Sequence, residues 1–327
     1  MAESGLKFSL ISPTFLREEE VSEFLDSLTG LNYPAFEVIL GDGSPGNELK
    51  GLFETYQNHL PLRVYHRPYL PVSDARNRAA EWSTGEYLIF LDSDCLIPSE
   101  YLNQIEAHLS QNPLDLFGGP DKADENFTPL QKAISFSMTH FITTGGIRGG
   151  KKTLTSYQPR GFNMGIKRKV FFEVKGYDEQ LKCGEDVDLS IRIQKAGYKS
   201  GFIPEAAVFH KRRTSLKKYF KQVYRFGAAR IDLAMRHQNQ MRAAHVFPFA
   251  FALGLIFSIL MLPVTSWFFL MYAMYFLAVG VFARIETKST GIAFLSMLST
   301  ATMFLGYAYG FARNAISHLV FKKALKL

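Results

Sequence analysis

From Lys7 to about Glu205 the chain alternates short runs of β-branched, aromatic and aliphatic residues with stretches whose apolar positions recur every three to four residues. That alternation predicts strands and helices in turn, hence an α/β domain with a mainly parallel sheet covered on both faces. The first four strands are expected at Phe8–Ser12, Phe36–Leu40, Leu62–Tyr65 and Tyr87–Leu91, with helices near 17–30, 47–59, 73–83 and 99–111. Three of these strands run into loop formers: Ser12-Pro-Thr14, Gly41-Asp-Gly-Ser-Pro45 and Asp92-Ser-Asp94. In an open parallel sheet the ligand lies beyond the carboxyl ends of the strands, so the three loops should face one crevice.

The pattern changes abruptly at 242–246. From Val246 to Ala283 there are 38 residues without Asp, Glu, Lys, Arg or His, interrupted by Pro263-Val-Thr-Ser266. No polar stripe divides this block, so it reads as a helical hairpin of two membrane arms, either tight spans or a deep re-entrant pair. A further uncharged segment, Thr290 to Phe311, is long enough to cross but is softened by Ser, Thr and Gly. Three full crossings conflict with the preference of cations for the cytosol. The run at 211–242 and Arg284/Lys288 would then lie on the opposite side from Arg313, Lys322, Lys323 and Lys326.

Charge sharpens this picture. The formal net charge is +7, and between Glu205 and His245 ten Lys/Arg face two acids. This basic stretch runs straight into the apolar block, so membrane lipid, and no nucleic acid, is the expected partner. Leu216, Tyr219, Phe220, Val223, Tyr224 and Phe226 recur there at helical spacing, as in a helix lying in the headgroup layer. Cys95 and Cys183 are too few for a disulfide framework or a structural zinc site. No apolar signal segment is visible from Met1 to Lys7, so the first domain is expected in the cytosol.

Candidate chemistry sits at the strand ends. Asp92 and Asp94 follow the strand ending at Leu91, and two carboxylates held together favour a divalent cation with hard ligands, Mg²⁺ or Mn²⁺. Such an ion also suits the diphosphate of a nucleotide sugar. Asp42 is placed to accept from a base imide N–H, with an Asx-turn as its alternative role. Ser73 reads as the N-cap of a helix that carries Arg76 towards the crevice, where a guanidinium would pair with phosphate oxygens, with a surface salt bridge as its alternative role. Glu185, Asp186 and Asp188 open a helix over 187–196 closed by Gly197, and one of these acids at the helix tip would take a proton from an acceptor hydroxyl. His210, after a strand expected at Ala206–Phe209, is a further metal-ligand candidate, and Lys211–Arg213 would neutralise a departing diphosphate.

In this order and spacing the motifs resemble those of family 2 glycosyltransferases of the GT-A fold. The likeness covers roughly 6–230 and adds Gly161-Phe-Asn-Met164, Gly184-Glu-Asp186 and Gln222-Val-Tyr-Arg-Phe226 to the strand-end loops and Ala75-Arg-Asn77. The resemblance implies a nucleotide-sugar site that includes Pro13, with Asp42 on the nucleobase, Asp94 holding the metal with Asp92 beside it, and Asp186 as the base of an inverting transfer. Gln222 and Arg225 match the Q-x-x-R-W motif of polysaccharide synthases, with Phe226 in place of Trp, and Gly41 stands where the commoner D-D-G-S has its first Asp.

The expected organisation is a GT-A domain at 1–205, a basic amphipathic interface segment at 206–245 and a membrane region at 246–327. The expected function is transfer of one sugar from a nucleotide diphosphate sugar, UDP-linked, to a lipid-linked (polyprenyl-type) or glycan acceptor. The enzyme would be a multi-pass inner-membrane protein with its catalytic domain in the cytosol. A processive polysaccharide synthase and a non-catalytic membrane scaffold are the rival readings.

Overall fold

The computed structural model describes residues 5–145 and 158–321. Its strands are β1 (Phe8–Thr14), β2 (Phe36–Asp42), β3 (Leu62–His66), β4 (Tyr87–Leu91), β5 (Cys95–Leu96), β6 (Leu116–Gly118), β7 (Asp121–Lys122), β8 (Asn163–Lys167), β9 (Ser200–Phe202) and β10 (Val208–His210). Among these run helices α1 (Glu18–Thr29), α2 (Lys50–Tyr56), α3 (Val72–Glu81), α4 (Tyr101–Gln111), α5 (Pro129–Thr139), α6 (Phe141–Thr144), α7 (Arg168–Glu173) and α8 (Glu185–Lys195). Four longer helices follow: α9 (Leu216–Arg236), α10 (Ala243–Leu260), α11 (Trp267–Thr287) and α12 (Thr290–Phe321).

The chain forms two compact units, residues 1–124 with 156–211, and residues 125–155 with 212–327. This division differs from consecutive segments at 1–205, 206–245 and 246–327. The segment carrying α5 and α6 joins the C-terminal helices because its apolar side chains are buried against them, Ile134 and Met138 with Tyr219 and Val223 and Phe136 with Val279 and Ala293.

In the first unit a seven-stranded sheet has the order β3-β2-β1-β4-β8-β6-β9. β3, β2, β1 and β4 are parallel, and β8 runs antiparallel to both β4 and β6. Strand alternation divides the core: Phe8, Leu10, Val38, Leu40, Ile89 and Leu91 face α1, α2 and α4, while Ile11, Ile39, Leu88 and Phe90 face α3, α7 and α8. The expected early strands and helices are all present. α3 starts one residue before Ser73, after the extended Pro71, so Ser73 is buried within the first turn and is not the N-cap. Proline suits this position because its missing N–H costs the helix nothing there.

A second, three-stranded sheet of order β5-β10-β7 holds the expected Ala206–Phe209 strand as β10, two residues later and outside the main sheet. In the second unit α12 runs to Phe321, well past the expected end at 311. α9 spends its apolar side on protein: Tyr219 and Val223 are buried, and Gly306 and Gly310 of α12 let the backbones of α9 and α12 approach closely. The expected lipid-facing stripe of this helix is therefore absorbed by packing, and Lys217, Lys218 and Lys221 form its exposed side. Lys322, Lys323 and Lys326 lie outside the described residues.

Candidate active site

β1 and β2 end side by side, with Thr14 paired to Asp42 in the register. Pro13 occupies the place opposite Gly41, half-buried at the carboxyl edge of the sheet. Gly41 stands where a side chain cannot, since a Cβ there would lie 2.5 Å from the Ala75 carbonyl oxygen of α3. This close approach explains the missing first acid of D-D-G-S. Asp42 is buried, and its Oδ1 accepts from Thr14 Oγ1 at 2.9 Å and from Ser44 N and Oγ at 3.2 and 2.8 Å. The Asx-turn role is thus real, and it holds the carboxylate rigidly while Oδ2 lies 3.7 Å from His66 Nε2.

Arg76 takes the ion-pair role, in a buried form. Its guanidinium donates to Asp92 Oδ1 at 2.7 Å and to Glu185 Oε1 at 3.0 Å, with Tyr177 stacked beneath it at 5.2 Å. The side chain is only 4% exposed. It clamps carboxylates from two turns. Burial works against its charge, but Tyr177, Asp92, Glu185 and Asp186 outweigh this and push its pKa up. Burial, then the neighbouring Asp186, raise the Glu185 carboxyl above its ordinary value against the pull of Arg76.

The three acids at the start of α8 are sorted by their partners. Glu185 is held by Arg76 and Asp188 by Arg192 at 2.8 Å, whereas Asp186 accepts from the backbone N–H groups of Gly161 at 3.0 Å and Val187 at 2.7 Å. Asp186 remains half-buried at the helix tip, and Gly184 in the left-handed conformation (φ 82°) turns the chain into it.

The small sheet builds the metal-like corner by pairing His210 with Cys95 across β10 and β5. His210 Nε2 then lies 3.1 Å from Asp94 Oδ1, and Lys211 N donates to the Asp94 carbonyl at 2.9 Å. Phe162 stacks on the imidazole with centroids 4.9 Å apart. Asp94, Cys95 and His210 are close enough for one ion, and Asp92, turned to Arg76, stands outside that group among the described residues. Burial, then Asp94, Asp92 and Asp121, push the Cys95 thiol up, and the Asp94 carboxylate and the His210 imidazole supply an oxygen and a nitrogen donor. That pair fits a divalent ion of the Mg²⁺ and Mn²⁺ class.

Sequence reasoning missed Asp121, whose Oδ2 is 3.7 Å from His210 Nδ1, and Arg17, 4.0 Å from Asp94. No local motif marks either one. Lys211 pairs with Glu23, and Arg212 is buried. Gln222, half-buried, and Arg225, exposed, are carried by α9 in the second unit.

Comparisons with known proteins agree with this architecture. Succinoglycan biosynthesis protein ExoA of Rhizobium meliloti is 24% identical over 310 residues, 91% of each chain. The dolichyl N-acetyl-alpha-D-glucosaminyl phosphate 3-beta-D-2,3-diacetamido-2,3-dideoxy-beta-D-glucuronosyltransferase of Methanococcus voltae is 23% identical over 329 residues, 94% of this chain and 97% of its own. Among solved structures, the mannosyltransferase PcManGT of Pyrobaculum calidifontis with GDP-Man and Mn²⁺ superposes with a TM-score of 0.58 at 17% identity, over 98% of this chain and 89% of that one. S. aureus TarS with UDP-GlcNAc gives 0.50 at 18% identity, over 95% and 92%. These structures show the GT-A fold. A sequence profile described as Glycosyl transferase family 2 matches residues 9–174, more than half of the chain. The protein belongs to glycosyltransferase family 2.

Proposed function

We propose that this glycosyltransferase moves one sugar from a UDP-linked donor to an acceptor carried on a lipid phosphate of polyprenyl type. It would do so at the cytosolic face of the inner membrane, as a multi-pass protein. The observation that carries the reading is the Arg76 clamp. One guanidinium spans Asp92 of the D-x-D turn and Glu185 beside Asp186, so the donor end and the candidate base share one edge of the sheet. The relative from Methanococcus voltae is named for a dolichyl phosphate sugar, and C-terminal helices apolar enough to enter a bilayer follow the catalytic unit here.

In this reading Asp42 uses Oδ2 to accept from the base imide, because Thr14 and Ser44 occupy Oδ1. Pro13 walls the same edge. Asp94 and His210 would hold the divalent cation, which when bound offsets negative charge on the leaving diphosphate. The imidazole in the donor set favours Mn²⁺ over Mg²⁺. Asp186 takes the proton of the acceptor hydroxyl as its oxygen attacks the anomeric carbon opposite the diphosphate, so the C–O bond to diphosphate breaks with inversion. The backbone N–H groups of Gly161 and Val187 fix the carboxylate for that approach.

The test uses the purified chain in vesicles containing a sugar-bearing polyprenyl phosphate, supplied with UDP- or GDP-linked sugars. Transfer from a UDP-sugar is expected, with loss in excess chelator, and Asp186→Asn should keep donor binding while losing about 10²–10⁴-fold in rate. Transfer from GDP-sugars alone, full turnover in chelator, or near wild-type transfer by Asp186→Asn would each remove the corresponding part of the reading.

A further inference from the structure

Length and composition allow α10, α11 and α12 each to cross a bilayer. Their contacts within the second unit separate them. α10 and α11 are antiparallel arms, with Phe251 against Tyr272 and Tyr275 and, further towards the turn, Phe257 against Phe268. α12 is inclined to these arms, with Met297 at Gly280 and Phe304 at Tyr275. From Ala293 to Phe311 it meets α11 between Tyr275 and Ala283, and α10 between His245 and Phe251. Those two stretches lie opposite each other towards the open end of the hairpin, so α12 crosses both arms obliquely there. Beyond that crossing the arms expose Leu253, Ile256, Leu260, Trp267, Met271 and Met274.

α12 has an apolar stripe of its own. Phe294, Leu298, Leu305, Tyr309, Ile316 and Val320 are exposed and follow one another at intervals of four and seven residues, which places them on one face. The remaining faces hold protein. Ser296 and Thr300 meet Ser137 of α5, and Asn314 and His318 bond Asp232 of α9. α9 runs parallel to α12, from Val223 at Gly306 to Asp232 at His318, with Lys221 and Arg225 exposed along it. A spanning α12 would drag Lys221 and Arg225, which lie on α9 beside Gly306 and Gly310, into hydrocarbon, where charged side chains are rare and costly.

We infer that α12 lies in the plane of the membrane surface with its exposed stripe in the lipid interface, while the α10–α11 hairpin alone enters the hydrocarbon. The partner is the bilayer. α9 and α5 lie on the protein side of α12, so the C-terminal end of α12 is on the same side as α9. This arrangement also removes the conflict over cations, since the basic stretch of α9 and Arg313 share one face of the membrane. The inference rests on the membrane attachment proposed above.

The test places single spin labels at 294, 298, 305, 309, 316 and 320 in a Cys183→Ser background, Cys95 being buried. It measures their depth in vesicles. In parallel, a membrane-impermeant maleimide is applied from one side to Lys221→Cys and Leu319→Cys. Six equal, shallow depths and labelling of both cysteines from the same side are expected. A depth that peaks at 305 and 309, or labelling of the two cysteines from opposite sides, overturns the inference. Failure of the chain to float with vesicles would instead overturn the membrane attachment, and this arrangement with it.

Discussion

A guanidinium as deeply buried as that of Arg76 persists only because both of its Nη atoms meet carboxylates. It ties the turn after β4 to the first turn of α8, two segments almost a hundred residues apart in sequence. Breaking a buried ion pair by removing one partner costs about 3–5 kcal/mol, because the other charge is left without compensation. Arg76→Ala is therefore expected to lower the thermal midpoint of the protein by several degrees. Arg76→Lys keeps the charge but lacks the planar fork that reaches two carboxylates, so it should remain folded yet transfer sugar at least tenfold more slowly. A lysine variant with wild-type rate and midpoint would show that the fork is dispensable. The acids at the strand ends and helix tip are readable from the sequence. The role of Arg76 is not, because a one-dimensional pattern does not show that the arginine is buried between carboxylates.

At the scale of elements, Glu37 shows how one buried side chain holds several strands. On β2 it accepts from Ser9 Oγ of β1 at 2.6 Å, from Thr84 N at 2.6 Å and from Arg63 of β3. Burial alone would raise its pKa, but these donors and the arginine outweigh burial and lower it below its ordinary 4.5. A carboxylate lowered in the folded state contributes stability that is present above about 4.5 and is lost as pH falls through the lowered folded value. Glu37→Gln should cost roughly 1–3 kcal/mol near neutral pH, and the gap to wild type should shrink as the pH falls below the ordinary value. Denaturant melts of both chains across that range check it, and a gap that widens in acid would refute it. Strands β1 to β4 are legible from alternation alone. β5, β7 and β10 are two or three residues long and carry no such signal, although their pairing is what sets His210 beside Asp94.

For the whole molecule, the exposed hairpin and the catalytic unit draw on different cores. Charges placed at Leu260 and Met271, 66% and 67% exposed, touch neither core cluster of the first unit. Leu260→Asp with Met271→Lys is expected to reduce the membrane-bound fraction severalfold while nucleotide binding stays within twofold of wild type. Flotation and nucleotide titration of the same preparation measure both, and unchanged flotation would exclude the hairpin as the anchor. Sequence by itself determined the alternating α/β pattern, the acids at the carboxyl edge, the apolar block and its boundary near 242–246. These follow from local periodicity and residue chemistry, which act over a few turns of chain. Only the tertiary structure decided that α5 and α6 join the C-terminal helices and that Asp94, not Asp92, meets His210. The same holds for the apolar face of α9, which closes on α5 and α12. Those outcomes depend on which distant surfaces bury one another, and a hydrophobic stripe read along the chain is equally suited to lipid, to a sheet or to another helix.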